Sequence, residues 1–189
     1  MSAEDDKLYN EISRLNNELV NAQREIAQKN QELEDIIRHD ALTGAGNRRA
    51  LIETFNELKN RSLRLSYPST LVIIDINNFK LVNDTKGHAE GDLLLTHLVK
   101  LAIKKTRVGL DYVFRIGGDE FLVLFTNCND DQATKVIERI NRSFCKATSI
   151  ASLAYGAVNI DYRMVNALEV HMSMADHIMY EHKQENRNT

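Results

Sequence analysis

The stretch Tyr112-Val113-Phe114-Arg115-Ile116-Gly117-Gly118-Asp119-Glu120-Phe121-Leu122-Val123-Leu124-Phe125 decides the fold. Two apolar runs, rich in β-branched and aromatic residues, flank a turn that holds two glycines, and this is the pattern of a β-hairpin. Upstream, after Pro68, the run Thr70-Leu71-Val72-Ile73-Ile74-Asp75 reads as a buried central strand. Asp75 closes that strand, while Asp119 and Glu120 occupy the hairpin turn. If the hairpin lies beside the strand, their carboxylates converge.

Helical patterns surround these strands. Residues 47–62 place Leu51, Phe55 and Leu58 on one face, and further helices are expected over about 90–106, 130–146 and 165–184, with another strand over about 149–158. Helices interleaved with a small mixed sheet make an α/β sandwich. The segment between Asp75 and the second helix reads as a loop.

The composition fits a globular protein: of 189 residues 43% are hydrophobic and 27% charged, with eight Gly and one Pro, which excludes collagenous and disordered classes. Net charge is -3, but residues 1–39 hold five Lys/Arg against nine Asp/Glu, leaving 19 against 18 in the remainder. That near-neutral remainder has no broad basic footprint for nucleic acid. Cys128 and Cys145 form no C-x-x-C pair and are expected as reduced thiols. His97, His171 and His177 show no metal spacing, so no zinc is assigned. No apolar run suits a bilayer and the N-terminus is acidic, so a cytoplasmic chain without a membrane segment is expected.

Residues 1–39 contain no Gly or Pro, and Leu8, Ile12, Leu15, Leu19, Ala22, Ile26, Lys29, Leu33 and Ile36 step alternately by four and three. This is a heptad seam, and a helix so long cannot bury its stripe alone. A parallel homodimeric coiled coil is expected, weakened locally by Lys29 at a d position. The alternative is a helix packed back on its own domain. The sequence pattern breaks near His39 or Asp40, where a domain of residues 40–189 begins.

The carboxylates of Asp75, Asp119 and Glu120 are hard ligands of the kind Mg²⁺ prefers, and that ion also takes phosphate oxygens from its substrate. Gly117 and Gly118 remove two Cβ atoms beside them, so a phosphate can approach the backbone. Asn83 and Asp92 offer an amide and a carboxylate, the pair that distinguishes guanine from adenine, or else they cap a helix near Gly91. Lys183 and Arg187 lie four apart and can neutralise terminal phosphates, or merely complement a helix dipole.

The string Gly117-Gly118-Asp119-Glu120-Phe121, with Asp40-Ala41-Leu42-Thr43-Gly44 and Asn47-Arg48-Arg49 before it, resembles the GGDEF domain of bacterial diguanylate cyclases. Asp75 to Asp92 is similar to the nucleotide loop of that family, and Ala175 to Lys183, ending in Asn186-Arg187-Asn188, to its last helix. The resemblance covers residues 40–188. It implies a ferredoxin-like, palm-type core and a reaction in which two GTP become cyclic di-GMP and two pyrophosphates, with Mg²⁺, for which Mn²⁺ can substitute. It also implies that Asp75, Asp119 and the Ile76 carbonyl hold the metal, and that Glu120 is a further ligand or helps deprotonate the 3′-hydroxyl. Asn83 and Asp92 would read guanine and Phe79 would line the base pocket. Lys80, Lys183 and Arg187 would hold the β and γ phosphates, with Arg115 supporting the site.

Some positions depart from the family pattern. Asn77 stands where an acid is usual and is expected to point away from the metal; Asn186 replaces a Gly, and Ile178 and His182 replace small residues. Of the family's Arg-x-x-Asp product-inhibition site, Asp111 is present but Val108 takes the Arg position, so weak or absent inhibition is expected. Each domain holds one GTP, so the second must come from a facing domain, which the coil supplies at high effective concentration. The chain opens inside the heptads, which suggests an upstream sensor domain that acts through the register or splay of the coil. Rival readings are a silent GTP-binding signalling domain, a cyclase that also accepts ATP, which Asp92 disfavours, and a coiled-coil module without ligand.

Overall fold

The structure, a computed structural model, describes residues 3–65, 67–148 and 150–187, with side chains described for 10–31, 33–62, 67–148 and 150–184. The chain divides into two compact units, residues 1–37 and 38–189. The first unit is the helix α1 (Ala3–Arg38). Its polar faces carry spaced pairs such as Arg14–Glu18 at 3.9 Å and Lys29–Glu25 at 3.2 Å. These are helix-stabilising separations of four residues. Of the heptad seam, Ile12, Leu15, Leu19, Ile26, Leu33 and Ile36 all stand exposed on the single chain. Leu8 has its side chain outside the described residues.

The second unit is built on four strands, β1 (Ser69–Asn77), β2 (Asp111–Gly117), β3 (Glu120–Thr126) and β4 (Ser152–Asn159), in the order β2-β3-β1-β4. Its helices are α2 (Arg48–Leu65), α3 (Phe79–Lys86), α4 (His88–Lys105), α5 (Asp130–Ala147) and α6 (Ala167–Arg187). From β1 onward the order is two interleaved βαβ units, the ferredoxin-like arrangement. Every strand pairing is antiparallel, so the mixed character expected of the sheet shrinks to one parallel bridge between Gly46 and Phe114. That bridge matters: Gly46 N donates to Val113 O at 3.0 Å and Arg115 N to Gly46 O at 2.8 Å. The loop before α2 thereby covers the outer edge of β2.

Strand periodicity divides the core. Val72, Ile74 and Ile76 of β1 meet Leu95, Leu98 and Ile137 from α4 and α5, while Leu71 and Ile73 face Leu51, Phe55 and Met179 from α2 and α6. Alternate residues of one strand therefore serve two layers. The helix α5 starts at a capping box, in which Asn129 Oδ1 accepts from Gln132 N at 2.9 Å and Gln132 Oε1 from Asn129 N at 3.1 Å.

The segment expected as a loop after Asp75 is mostly helical. β1 runs on to Asn77, and α3 follows after Asn78, which sits in the left-handed region at φ 62° with its Nδ2 donating to Ile150 O at 3.1 Å. Asn tolerates that conformation, and its side-chain bond fixes the sharp entry. With eight residues, among them Val, Asn, Asp and Thr, α3 has weak intrinsic propensity and depends on packing against α4. Among the described residues no helix is long and apolar enough to cross a membrane.

Candidate active site

β1 and β3 bring the acids together. Asp75 and Glu120 are direct partners in the ladder, side by side on the face that carries α6, and Asp119 precedes Glu120 in the turn. Like charges in such a cross-strand pair repel. Burial and the Asp75 charge both push the Asp119 carboxyl above its ordinary value. Glu120 is raised by burial and by the charges of Asp75, Asp119 and Asp176. The helix α6 brings a counter-charge: Lys183 Nζ lies 2.8 Å from Asp75 Oδ1.

Around this pair opens a cleft of about 450 Å³ lined by Asp75, Ile76, Asn77, Asn78, Phe79, Lys80, Leu81, Asp119, Ser152 and Lys183. Of the residues expected at the site, Asp75, Ile76, Phe79, Lys80, Asp119 and Lys183 are thus gathered in one place. Gly118 takes φ +47°, a conformation suited to glycine, while a Cβ on Gly117 would meet no atom within 4 Å. The space in front of Gly117 is open to a ligand.

Other expected residues stand elsewhere. Arg115 does not line the cleft; its Nε and Nη2 donate to Gly118 O at 2.9 and 2.8 Å, and Nη1 donates to Asp40 Oδ1 at 3.0 Å. It pins the turn that carries Asp119 to the Asp40 loop. Burial alone would raise Asp40, but hydrogen bonds from Thr43 and Arg115 outweigh it and hold that carboxyl below its ordinary value. Asn83 lies on α3 and Asp92 stands exposed on α4, and neither caps the helix, whose N-cap is Gly87 without a side-chain bond. Asn83 Oδ1 is buried without a hydrogen-bond partner among the described residues, against Gly91, where any Cβ would strike it. The backbone of α6 reaches Arg187, but the side chains of Asn186 and Arg187, and all of Asn188, lie outside the described residues.

Ser152 carries no signal in the sequence, and Asp176, inside the stretch that resembles the family's last helix, has no role assigned from it. The β1–β4 register puts Ser152 opposite Asn77, whose Nδ2 donates to Ser152 Oγ at 3.0 Å. Asn77 is therefore turned to β4, away from the strand that carries Glu120, although it still lines the cleft. His182, at a position expected to be small, tilts against Tyr155 with ring centroids 4.6 Å apart. Asp111 is fully engaged: Arg107 grips it through Nε at 3.0 Å and Nη2 at 2.7 Å, and Val108 is 96% exposed. His171 is a core residue that accepts from Asp161 N at 3.0 Å, and His177 pairs with Glu181 on the surface.

The donor set suits a hard cation. Among the described residues no three acidic, His or Cys side chains form a ready-made metal group. Mg²⁺ needs only one or two carboxylates when its substrate supplies phosphate oxygens, and the mutually repelling Asp75, Asp119 and Glu120 have charge for a cation to neutralise. Asp75, Asp119 and the Ile76 carbonyl are the candidate ligands, with Glu120 beside them.

Residues 37–189 match the family described as "Diguanylate cyclase, GGDEF domain". The chain is 35% identical over 161 residues to diguanylate cyclase DgcZ of Escherichia coli, covering 79% of this chain and 51% of that protein. It is 32% identical over 166 residues to diguanylate cyclase DosC of the same species, covering 82% and 36%. The chain thus spans about half the length of such relatives or less. Among solved structures, diguanylate cyclase SiaD of Pseudomonas aeruginosa, in complex with its activator SiaC, is similar with a TM-score of 0.72 and 25% identity, over 96% of this chain and 72% of that one. The coiled coil and GGDEF domain of DgcB from Caulobacter crescentus shares the fold at a TM-score of 0.75 and 20% identity, over 90% and 95%. The chain belongs to the GGDEF-domain diguanylate cyclase family.

Proposed function

We propose that this chain is an active diguanylate cyclase, which condenses two GTP into cyclic di-GMP and two pyrophosphates as a homodimer, and that it is the output module of a sensor protein. The observation that carries this reading is the meeting of Asp75, Asp119, Glu120 and Lys183 where β1, the hairpin turn and α6 converge, beside an open glycine turn. A domain kept only to bind partners has no need of that set.

Mg²⁺, or Mn²⁺ in its place, would be held by Asp75, Asp119 and the Ile76 carbonyl with Glu120 beside them, and when bound it lowers the pKa of the attacking 3′-hydroxyl and neutralises charge on pyrophosphate. This chain's residues do the rest. Lys80 and Lys183 in the cleft, with Arg187 farther along α6, take the β and γ phosphates. Phe79 packs the base. Asp92 accepts from the N1–H and exocyclic amine of guanine and repels the N1 acceptor of adenine, and Asn83 reads the same base. Glu120, beside the metal, takes a proton from the 3′-hydroxyl. Arg115 holds the turn rather than the substrate.

One cleft holds one nucleotide, so the attacking hydroxyl comes from a second copy. The exposed seam of α1 supports a parallel coiled coil as the element that supplies it. The test is to incubate the protein with Mg²⁺ and GTP or ATP and identify the product. Cyclic di-GMP from GTP, nothing from ATP, and loss in Asp119→Asn are expected. Saturable GTP binding without turnover would overturn the cyclase reading in favour of a silent signalling domain.

A further inference from the structure

Asp75 already has a cation. The Lys183 ammonium lies 2.8 Å from Asp75 Oδ1, with the two side chains only 25% and 14% exposed. A charge-assisted bond so shielded from water is short, strong and little screened by salt. It sits at the carboxylate that heads the candidate cation ligands, and Lys183 is also the residue assigned to terminal phosphates. It cannot serve both partners at full strength. Lys80 lines the same cleft from α3, is exposed, and makes no ion pair among the described residues. Of the two lysines, only Lys183 is committed to an acid.

We infer that Lys183 is the resident counter-cation of Asp75, exchanged for a divalent cation when a substrate phosphate draws the ammonium away. This rests on the reading of Asp75 as a cation ligand. A lysine is fitted to the exchange because its charge is a point on a four-carbon stem with rotatable donors, free to swing without moving α6. The helix itself is held: Gly156 of β4 lies so close to the backbone at Ala175 and Met179 that a Cβ there would strike it. The root of Lys183 is thus held, while rotation about its four-carbon stem can carry the ammonium to a new partner.

The exchange has a thermodynamic consequence. A divalent cation that enters the nucleotide-free cleft must displace the ammonium, so it binds weakly. A phosphate that takes the ammonium first leaves Asp75 open. Cation and nucleotide then favour each other by the same factor, as linkage requires. Between turnovers the ammonium offsets the repulsion among Asp75, Asp119 and Glu120 and discourages a cation from lodging without substrate.

The test is a Mn²⁺ titration of the full chain without nucleotide, with free Mn²⁺ read by electron paramagnetic resonance, for wild type, Lys183→Met and Lys183→Arg. Lys183→Met, which keeps the stem and removes the charge, is expected to bind Mn²⁺ about tenfold more tightly than wild type. Lys183→Arg keeps the charge and is expected to stay within about twofold of wild type. Circular dichroism shows whether each variant is folded, and if the Met variant is not, Lys183→Gln takes its place with the same expectation. Equal or weaker Mn²⁺ binding in the folded charge-free variant, or no Mn²⁺ binding by any of the proteins, would overturn the inference. Tighter binding without GTP turnover by wild type would instead remove the cyclase reading and leave the exchange standing; turnover with unchanged affinity would remove the exchange alone.

Discussion

Asp75 and Glu120 face each other across β1 and β3, and that pairing is a cost the fold carries for its site. Both Glu120 and Asp119 titrate above their ordinary values. A carboxyl raised on folding adds stability only while protonated: the contribution is full below the unfolded value and is lost as pH rises through the folded one. At neutral pH the acids therefore weigh against folding. Glu120→Gln is expected to stabilise the metal-free protein at pH 7 by about 0.5 kcal/mol, a modest figure because Glu120 is only partly shielded and water screens its charge. The gain should vanish at about pH 3.5, where wild-type Glu120 is also neutral, and turnover should fall in the same variant. Urea denaturation at the two pH values, with and without Mg²⁺, checks it. A Glu120→Gln protein less stable at pH 7 would contradict the strained pair. In the sequence Asp75, Asp119, Glu120 and Lys183 were legible, because a strand end, a tight turn and a helical spacing are local signals. Ser152 was not, since strand register brings it in from far along the chain.

At the scale of elements, the hairpin, the central strand and the helix α5 were readable from period and turn chemistry, though the capping box of α5 was not read. The helix α3 was not. Its eight residues carry no cap signal that stands out, and its helix is secured by tertiary contact with α4 rather than by propensity. That one omission hid where Asn83 stands, on a helix packed against α4 rather than on a loop, whereas Asp92 falls on α4, within the helix the sequence places over about 90–106. A second unsignalled feature is the crossing of α6 over β4 at Gly156, where a Cβ would meet backbone that no side-chain rotation can clear. Gly156→Ala is expected to cost about 2 kcal/mol in urea denaturation, within the range for overpacking. It should also weaken GTP binding, because displacing α6 moves Lys183. Loss of stability without loss of binding would show that α6 does not position the phosphate contacts.

At the scale of the whole molecule, the chain comprises two units, a long helix with a heptad pattern and an α/β domain. The seam is the plainest part of the sequence, since its period needs no tertiary information. What a single chain leaves open is the second domain that the proposed reaction requires. Leu19→Asp, in the middle of the seam, should turn the protein monomeric in sedimentation experiments and leave the folding of the second unit intact. Its GTP turnover should drop by about tenfold or more where wild type is dimeric. A monomeric variant that keeps full activity would separate the coil from catalysis.

The most direct measurement is the initial rate of pyrophosphate release per protomer from GTP and Mg²⁺, followed across a wide range of protein concentration. If two facing domains each supply one GTP, the rate per protomer climbs as the dimer forms and then levels off, with two pyrophosphates released for each cyclic di-GMP. A rate per protomer that is flat through the monomer–dimer transition, or no pyrophosphate release at any concentration, would contradict the account.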